Sequence, residues 1–102
     1  MARQKLRLTL AISPEAKSDL FDIWRYNAIH RRFRAAELWD AVIQSRIDSL
    51  STDYDLGRRI DEAPELRFVI VQRRPKAHGN VVVYQIDLEG LTLSILRVFH
   101  TR

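Results

Sequence analysis

Cysteine is absent from this chain of 102 residues. A disulfide framework, a thiolate nucleophile and any metal site built on cysteine are therefore excluded. Glycine and proline number three each, and no linker, low-complexity tract, internal repeat or Gly-rich phosphate loop is visible. A His-x-Glu metal pair and a Ser/His/Asp arrangement are missing too, so no metal and no cofactor is expected. No apolar run approaches the length of a membrane span. The basic start alternates through Leu6-Arg7-Leu8-Thr9-Leu10 instead of forming the apolar core of a signal peptide. A cytoplasmic address and no membrane partner are the expectation.

Acidic residues are also scarce where it matters. Residues 1–65 carry eleven Lys/Arg against eleven Asp/Glu, whereas residues 66–102 carry six against two. The whole net charge of +4 thus lies in the C-terminal third. A localised basic surface attracts nucleic acid, acidic peptides or anionic protein faces. The chain closes on Arg97-Val98-Phe99-His100-Thr101-Arg102, a cluster with no acid nearby except Asp87 and Glu89. Its counter-charge has to come from elsewhere in the fold or from another molecule.

Apolar residues at 46% and charged residues at 29% are the balance of a globular protein. The length suits a single domain over residues 1–102. Lys5–Ile12 alternates as a half-buried strand. Ser13-Pro14-Glu15 then reads as a helix start, with Ser13 as cap and Pro14 at the first helical position. Ala16, Leu20, Ile23, Trp24 and Asn27 carry this first helix to about His30. After Arg31-Arg32, a second helix is expected on the stripe Ala36, Trp39, Ile43, Ile47 and Leu50. The polar segment Ser51–Glu65, with Gly57 and Pro64, reads as a long loop. Three strands follow at Leu66–Gln72, Val81–Ile86 and Leu91–Phe99, the first pair joined by the basic loop Arg73–Asn80. The expected fold is α+β, in the order β-α-α-β-β-β. A helical hairpin packs on a four-stranded, mainly antiparallel sheet, and Val81-Val82-Val83 is its central strand, covered on both sides.

These pieces, taken in order, resemble the RelE/ParE superfamily of toxins from type II toxin–antitoxin systems, and its ParE branch most closely. The resemblance rests on Ser13-Pro14-Glu15-Ala16, Asp19-Leu20-x-x-Ile23-Trp24-x-Tyr26, Ala35-Ala36 and the Ile43, Ile47, Leu50 stripe. Leu56-Gly57-Arg58, Leu66-Arg67, Tyr84-x-Ile86 and Ile95-Leu96-Arg97-Val98-Phe99-His100 complete it. It implies a toxin neutralised by a cognate antitoxin and, for the ParE branch, DNA gyrase as the target without enzymatic activity of its own. The alternative is a ribosome-dependent mRNA endoribonuclease of the RelE kind; a third is a member that binds antitoxin but has lost toxicity. The Arg73–Asn80 loop is longer and more basic than in most ParE-like chains.

Metal-free RNA cleavage needs a base, an acid and cations over the developing phosphorane charge. Arg67 and Arg97 are the candidate cations, His100 or Glu62 the base, Tyr84 or Lys76 the proton donor. Each has a plainer reading, and Tyr84, alternating with Val82 and Ile86, fits a core better. The single lysine in residues 66–102 and the lack of a terminal tyrosine weaken the nuclease alternative. The candidate antitoxin- or target-binding set is Arg67, Arg73, Arg74, Arg97, Phe99, His100 and Arg102. Trp24 and Trp39 are expected in the core, with Phe33, Phe99 and Tyr26 exposed. Arg31-Arg32-x-Arg34 reads as a solvated elbow or a second contact surface.

Overall fold

Ser13 starts the first helix and ties it to the sheet. In the computed structural model, which describes residues 6–75 and 77–101, its hydroxyl accepts the Ala16 N–H at 3.0 Å. The same hydroxyl donates to the Leu96 carbonyl at 2.9 Å. With Pro14 in the first turn and Glu15 at the positive end of the dipole, α1 spans Pro14–His30. Two residues later α2 spans Phe33–Ser49. Ala16 and Leu20 of α1, Ala36, Ile43 and Ile47 of α2, and Leu50 are buried, as the helical spacing requires.

The sheet corrects the expected architecture. Among the described residues it has five strands, not four: β1 (Thr9–Ile12), β2 (Arg58–Ile60), β3 (Ala63–Gln72), β4 (Gly79–Asp87) and β5 (Thr92–His100). Their order is β1-β5-β4-β3-β2. β1 runs parallel to β5, and the other pairings are antiparallel. The strand missing from the sequence reading is β2, inside the polar segment taken for a loop. It is three residues long, and both arginines are exposed, so it leaves no alternation to detect. Charged residues on a short edge strand are what keeps such an edge from pairing further. Pro64 argued against a strand, yet the register assigns it no ladder partner, so its missing N–H costs nothing there.

Boundaries shift as well. β1 begins at Thr9; Leu8 is buried ahead of it, and Lys5 lies outside the described residues. β4 starts at Gly79 and shortens the basic loop. A side chain at Gly79 would run into the Val71 carbonyl, so only glycine allows the two strands to close there.

Both helices pack on one face of the sheet, over Val69, Val71, Val82, Tyr84, Leu93, Ile95 and Val98. β4 is the central strand, as expected, but it is not covered on both sides. Among the described residues no element packs on the second face. Val83 falls to 9% exposure there because it lies between Phe68 and Arg97 in register.

Candidate functional site

A bulge in β5 decides where the C-terminal residues point. Tyr84 pairs with Ile95 and Val83 with Arg97, so Leu96 is an extra residue. Strict alternation from Leu93 and Ile95 would send Arg97 and Phe99 under the helices. The extra residue reverses the phase. Val98 joins the covered face at 3% exposure, while Arg97 and Phe99 turn to the open face. Two cross-strand rows form there, Arg58–Phe68–Val83–Arg97 and Ile70–Val81–Phe99. Ile70 and Phe99 are 47% and 43% exposed. The Arg97 guanidinium lies 4.8 Å from the Phe99 ring centre, a cation–π contact. The open face is thus an apolar centre flanked by two arginines.

Arg97 does have a counter-charge within the fold. Its Nε and Nη2 donate to the Asp19 carboxylate at 2.8 and 3.1 Å. The Val98 N–H adds a third bond at 2.8 Å. The Arg97 hydrogen bond, with smaller help from Val98, holds the Asp19 carboxyl below the usual carboxylate range against the opposing effect of burial. The same pairing pushes Arg97 up.

Arg67 plays a different part. Its Nη1 donates to the Gly57 carbonyl at 2.9 Å, under the loop that precedes β2. It occupies the phase of β3 that pairs with Tyr84, so Arg67 and Arg97 serve opposite faces and form no common charge cluster. Tyr84 is fully buried. Its hydroxyl accepts the Gly57 N–H at 2.9 Å and donates to the Tyr54 carbonyl at 2.8 Å, and burial pushes the phenol up. Tyr84 is a core residue that anchors a loop. Glu62 is exposed in the β2–β3 turn, at the corner of the sheet opposite His100.

His100 pairs with Asn80 at the other end of β4. Its ring centre lies 6.2 Å from that of His78. Arg73, Arg74 and His100 come together around one cavity, joined by Arg31 and His78. From sequence alone Arg31 belongs to a separate elbow, and nothing singles out His78. Arg102 and Lys76 lie outside the described residues. Asp19 was missed as a site residue. Its signal in the sequence is its place at the head of the Asp19-Leu20-x-x-Ile23-Trp24-x-Tyr26 piece, one turn past Ala16.

The tryptophans separate. Trp39 packs against the core and donates from Nε1 to Asn80 Oδ1 at 2.8 Å. Trp24 lies outside the core cluster. It stacks on Phe21, meets Phe33 edge-on and bonds Glu37. Its apolar partners are exposed, so the 3.6-residue period alone misassigned it. Tyr26 and Phe33 are exposed, at 51% and 64%. Among the described residues no group of three or more His, Asp or Glu could hold a metal ion. No described helix is long and apolar enough to cross a membrane.

No curated protein matches the sequence. Solved structures do. A chain of the chromosomal ParDE toxin–antitoxin system from P. aeruginosa superposes with a TM-score of 0.77 at 18% identity, covering 94% of this chain and 98% of that one. A chain of the RelBE2 toxin–antitoxin complex from Mycobacterium tuberculosis gives 0.62 at 24% identity, with 93% and 92% covered. At such identities the likeness is one of fold. The family profile described as "ParE toxin of type II toxin-antitoxin system, parDE" matches residues 10–102. With nearly its whole length inside that match, the chain belongs to the ParE toxin family of type II toxin–antitoxin systems.

Proposed function

We propose that this toxin, whose partner is a cognate antitoxin, acts by gripping DNA gyrase and not by cutting mRNA. The observation that carries this is the chemistry of the open sheet face. Its rows hold Phe68, Ile70, Val81, Val83 and Phe99, with Arg58 and Arg97 at the ends. None of these can transfer a proton at neutral pH. Of the candidates for RNA cleavage, three do not converge on His100: Tyr84 is buried, Arg67 holds a loop carbonyl, and Glu62 sits at the opposite corner of the sheet. A face of apolar residues with cationic ends suits binding a protein, where buried area supplies affinity and charge supplies register.

The same face suits an antitoxin segment that is apolar on one side and acidic on the other. Such a segment must offset its own ordering cost through apolar burial. Ile70 and Phe99 would anchor it, and its acids would answer Arg58, since Arg97 already has Asp19. Arg73 and Arg74 of the β3–β4 loop and His100 at the end of β5 gather on the helix side of the sheet instead, and Arg67 supports the open face only indirectly.

The test is purified toxin added to gyrase and supercoiled plasmid. Accumulation of linear DNA, with transcripts intact in a translation extract, is expected. Transcripts cut only when ribosomes are present, without any effect on gyrase, would establish the nuclease alternative.

A further inference from the structure

A cavity of about 400 Å³ opens where the α1–α2 turn meets the β3–β4 loop. Pockets that enclose small ligands run to roughly 300–1,000 Å³. Arg31 reaches it from the end of α1, Arg73, Arg74 and His78 from the loop, and His100 from the end of β5. Among the described residues no carboxylate belongs to the lining. Guanidinium groups gathered without an acid repel one another, and an anion placed among them removes that repulsion. The contrast is Arg97, whose acid is built in on α1.

The floor of the cavity spends its polar atoms on itself. Trp39 donates to Asn80 Oδ1, and Asn80 Nδ2 donates to the Phe99 carbonyl at 3.1 Å. Asn80 is only 3% exposed. Gly79 donates to the Thr101 hydroxyl and Thr101 N–H to the Gly79 carbonyl, both at 3.0 Å. These bonds hold the strand end that carries His100. Arg73 lies 5.3 Å over the Trp39 ring, which directs its guanidinium. Ligand recognition is left to cations at the rim, above a base whose polar side-chain atoms are already paired with one another.

We infer that this cavity is a phosphate-binding site that takes a phosphodiester of the DNA backbone. Guanidinium forks arriving from a helix end and from a facing loop match a tetrahedral group with several acceptor oxygens. Phosphate contacts of this kind position a protein on nucleic acid without reading its sequence. A free phosphate presents the same oxygens, so the two sources have to be separated by experiment.

The full-length toxin is titrated into a fluorescent 20-base-pair duplex and followed by anisotropy, with pyrophosphate and a glutamate oligopeptide as competitors. Neither gyrase nor ribosome is present, so the result bears on the cavity and leaves the target of the toxin untouched. Binding is expected, weakening steeply with salt. Arg31→Gln combined with Arg74→Gln should weaken it at least tenfold and lower the slope of log K against log salt by about two. Arg7→Gln combined with Arg25→Gln removes the same charge from exposed positions outside the cavity and should change affinity less than threefold. Thermal unfolding checks that both double variants fold. Equal losses in the two variants, or no binding of duplex, would overturn the assignment. Pyrophosphate held in the cavity while duplex is ignored would remove DNA as the source. Preferential capture of the glutamate peptide would make the cavity a protein contact.

Discussion

Asp19 on α1 accepts both Nε and Nη2 of Arg97 and, in addition, the backbone N–H of Val98, across 78 residues of sequence. The last rung between β1 and β5 is Ile12↔Ile95. Beyond it Ser13 bonds the Ile95 and Leu96 carbonyls, and Asp19 takes the next open group of the β5 edge, the Val98 N–H. One carboxylate thus fixes the helix to the sheet and fixes the direction of the arginine on the open face.

Replacing Asp19 by Asn should cost about 1 kcal/mol at pH 7, since charge-assisted bonds become ordinary or are lost. The folded value of Asp19 lies below its ordinary 3.8, so its contribution is complete above that value. It is lost as pH falls through the folded value. Urea unfolding of wild type and variant should therefore differ at pH 7 and converge towards pH 2. A gap that does not change with pH would show that the carboxylate charge is irrelevant to stability.

Tyr84→Phe removes the hydroxyl that joins Gly57 to Tyr54 and leaves the buried Gly57 N–H without its partner. A loss of about 1–3 kcal/mol is expected, read as a lower urea midpoint. Toxicity per folded molecule should be retained, because the residue anchors a loop. Loss of killing with unchanged stability would return Tyr84 to the list of proton donors.

Leu91 is the one described non-glycine residue at positive φ, 51°, and its side chain is 45% exposed. The left-handed region costs an ordinary residue about 1–2 kcal/mol, and Asn is tolerated there better than most. Leu91→Asn should stabilise the protein by about 0.5–1 kcal/mol and raise its melting temperature by a few degrees. A lower melting temperature would mean that the Leu91 side chain packs more than its exposure indicates.

His100→Gln keeps a hydrogen-bonding side chain and removes a proton-transfer group. Colony survival after induction should barely change if gyrase is the target. Phe99→Ser removes an exposed anchor from the open face and should reduce both toxicity and yield of the antitoxin complex, with little change in unfolding temperature. The opposite pattern, a harmless Phe99→Ser and a non-toxic His100→Gln, would move the active surface to the other side of β5.

Much of the chain follows from local chemistry alone. Ser13 and Pro14 start a helix wherever they stand before an apolar period, and Ala36, Ile43 and Ile47 can bury together only on a helix. Val81-Val82-Val83 reads as a central strand because no charge interrupts it. These are properties of residues a few positions apart, and sequence carries them directly. The rest depended on neighbours that sequence does not order. Arg58-Arg59 looks like solvated loop until β3 offers it an edge. The reversal at Leu96 comes from pairing with β4, and it alone decides that Arg97 and Phe99 face outward. Asp19 meets Arg97, and Arg31 meets Arg73, Arg74 and His78, only after the helical hairpin has settled on the sheet. Charge attracts over ångströms of space, whatever the number of residues between. The sequence could therefore state that the C-terminal cations needed partners, and the packed fold chose which of them already had one.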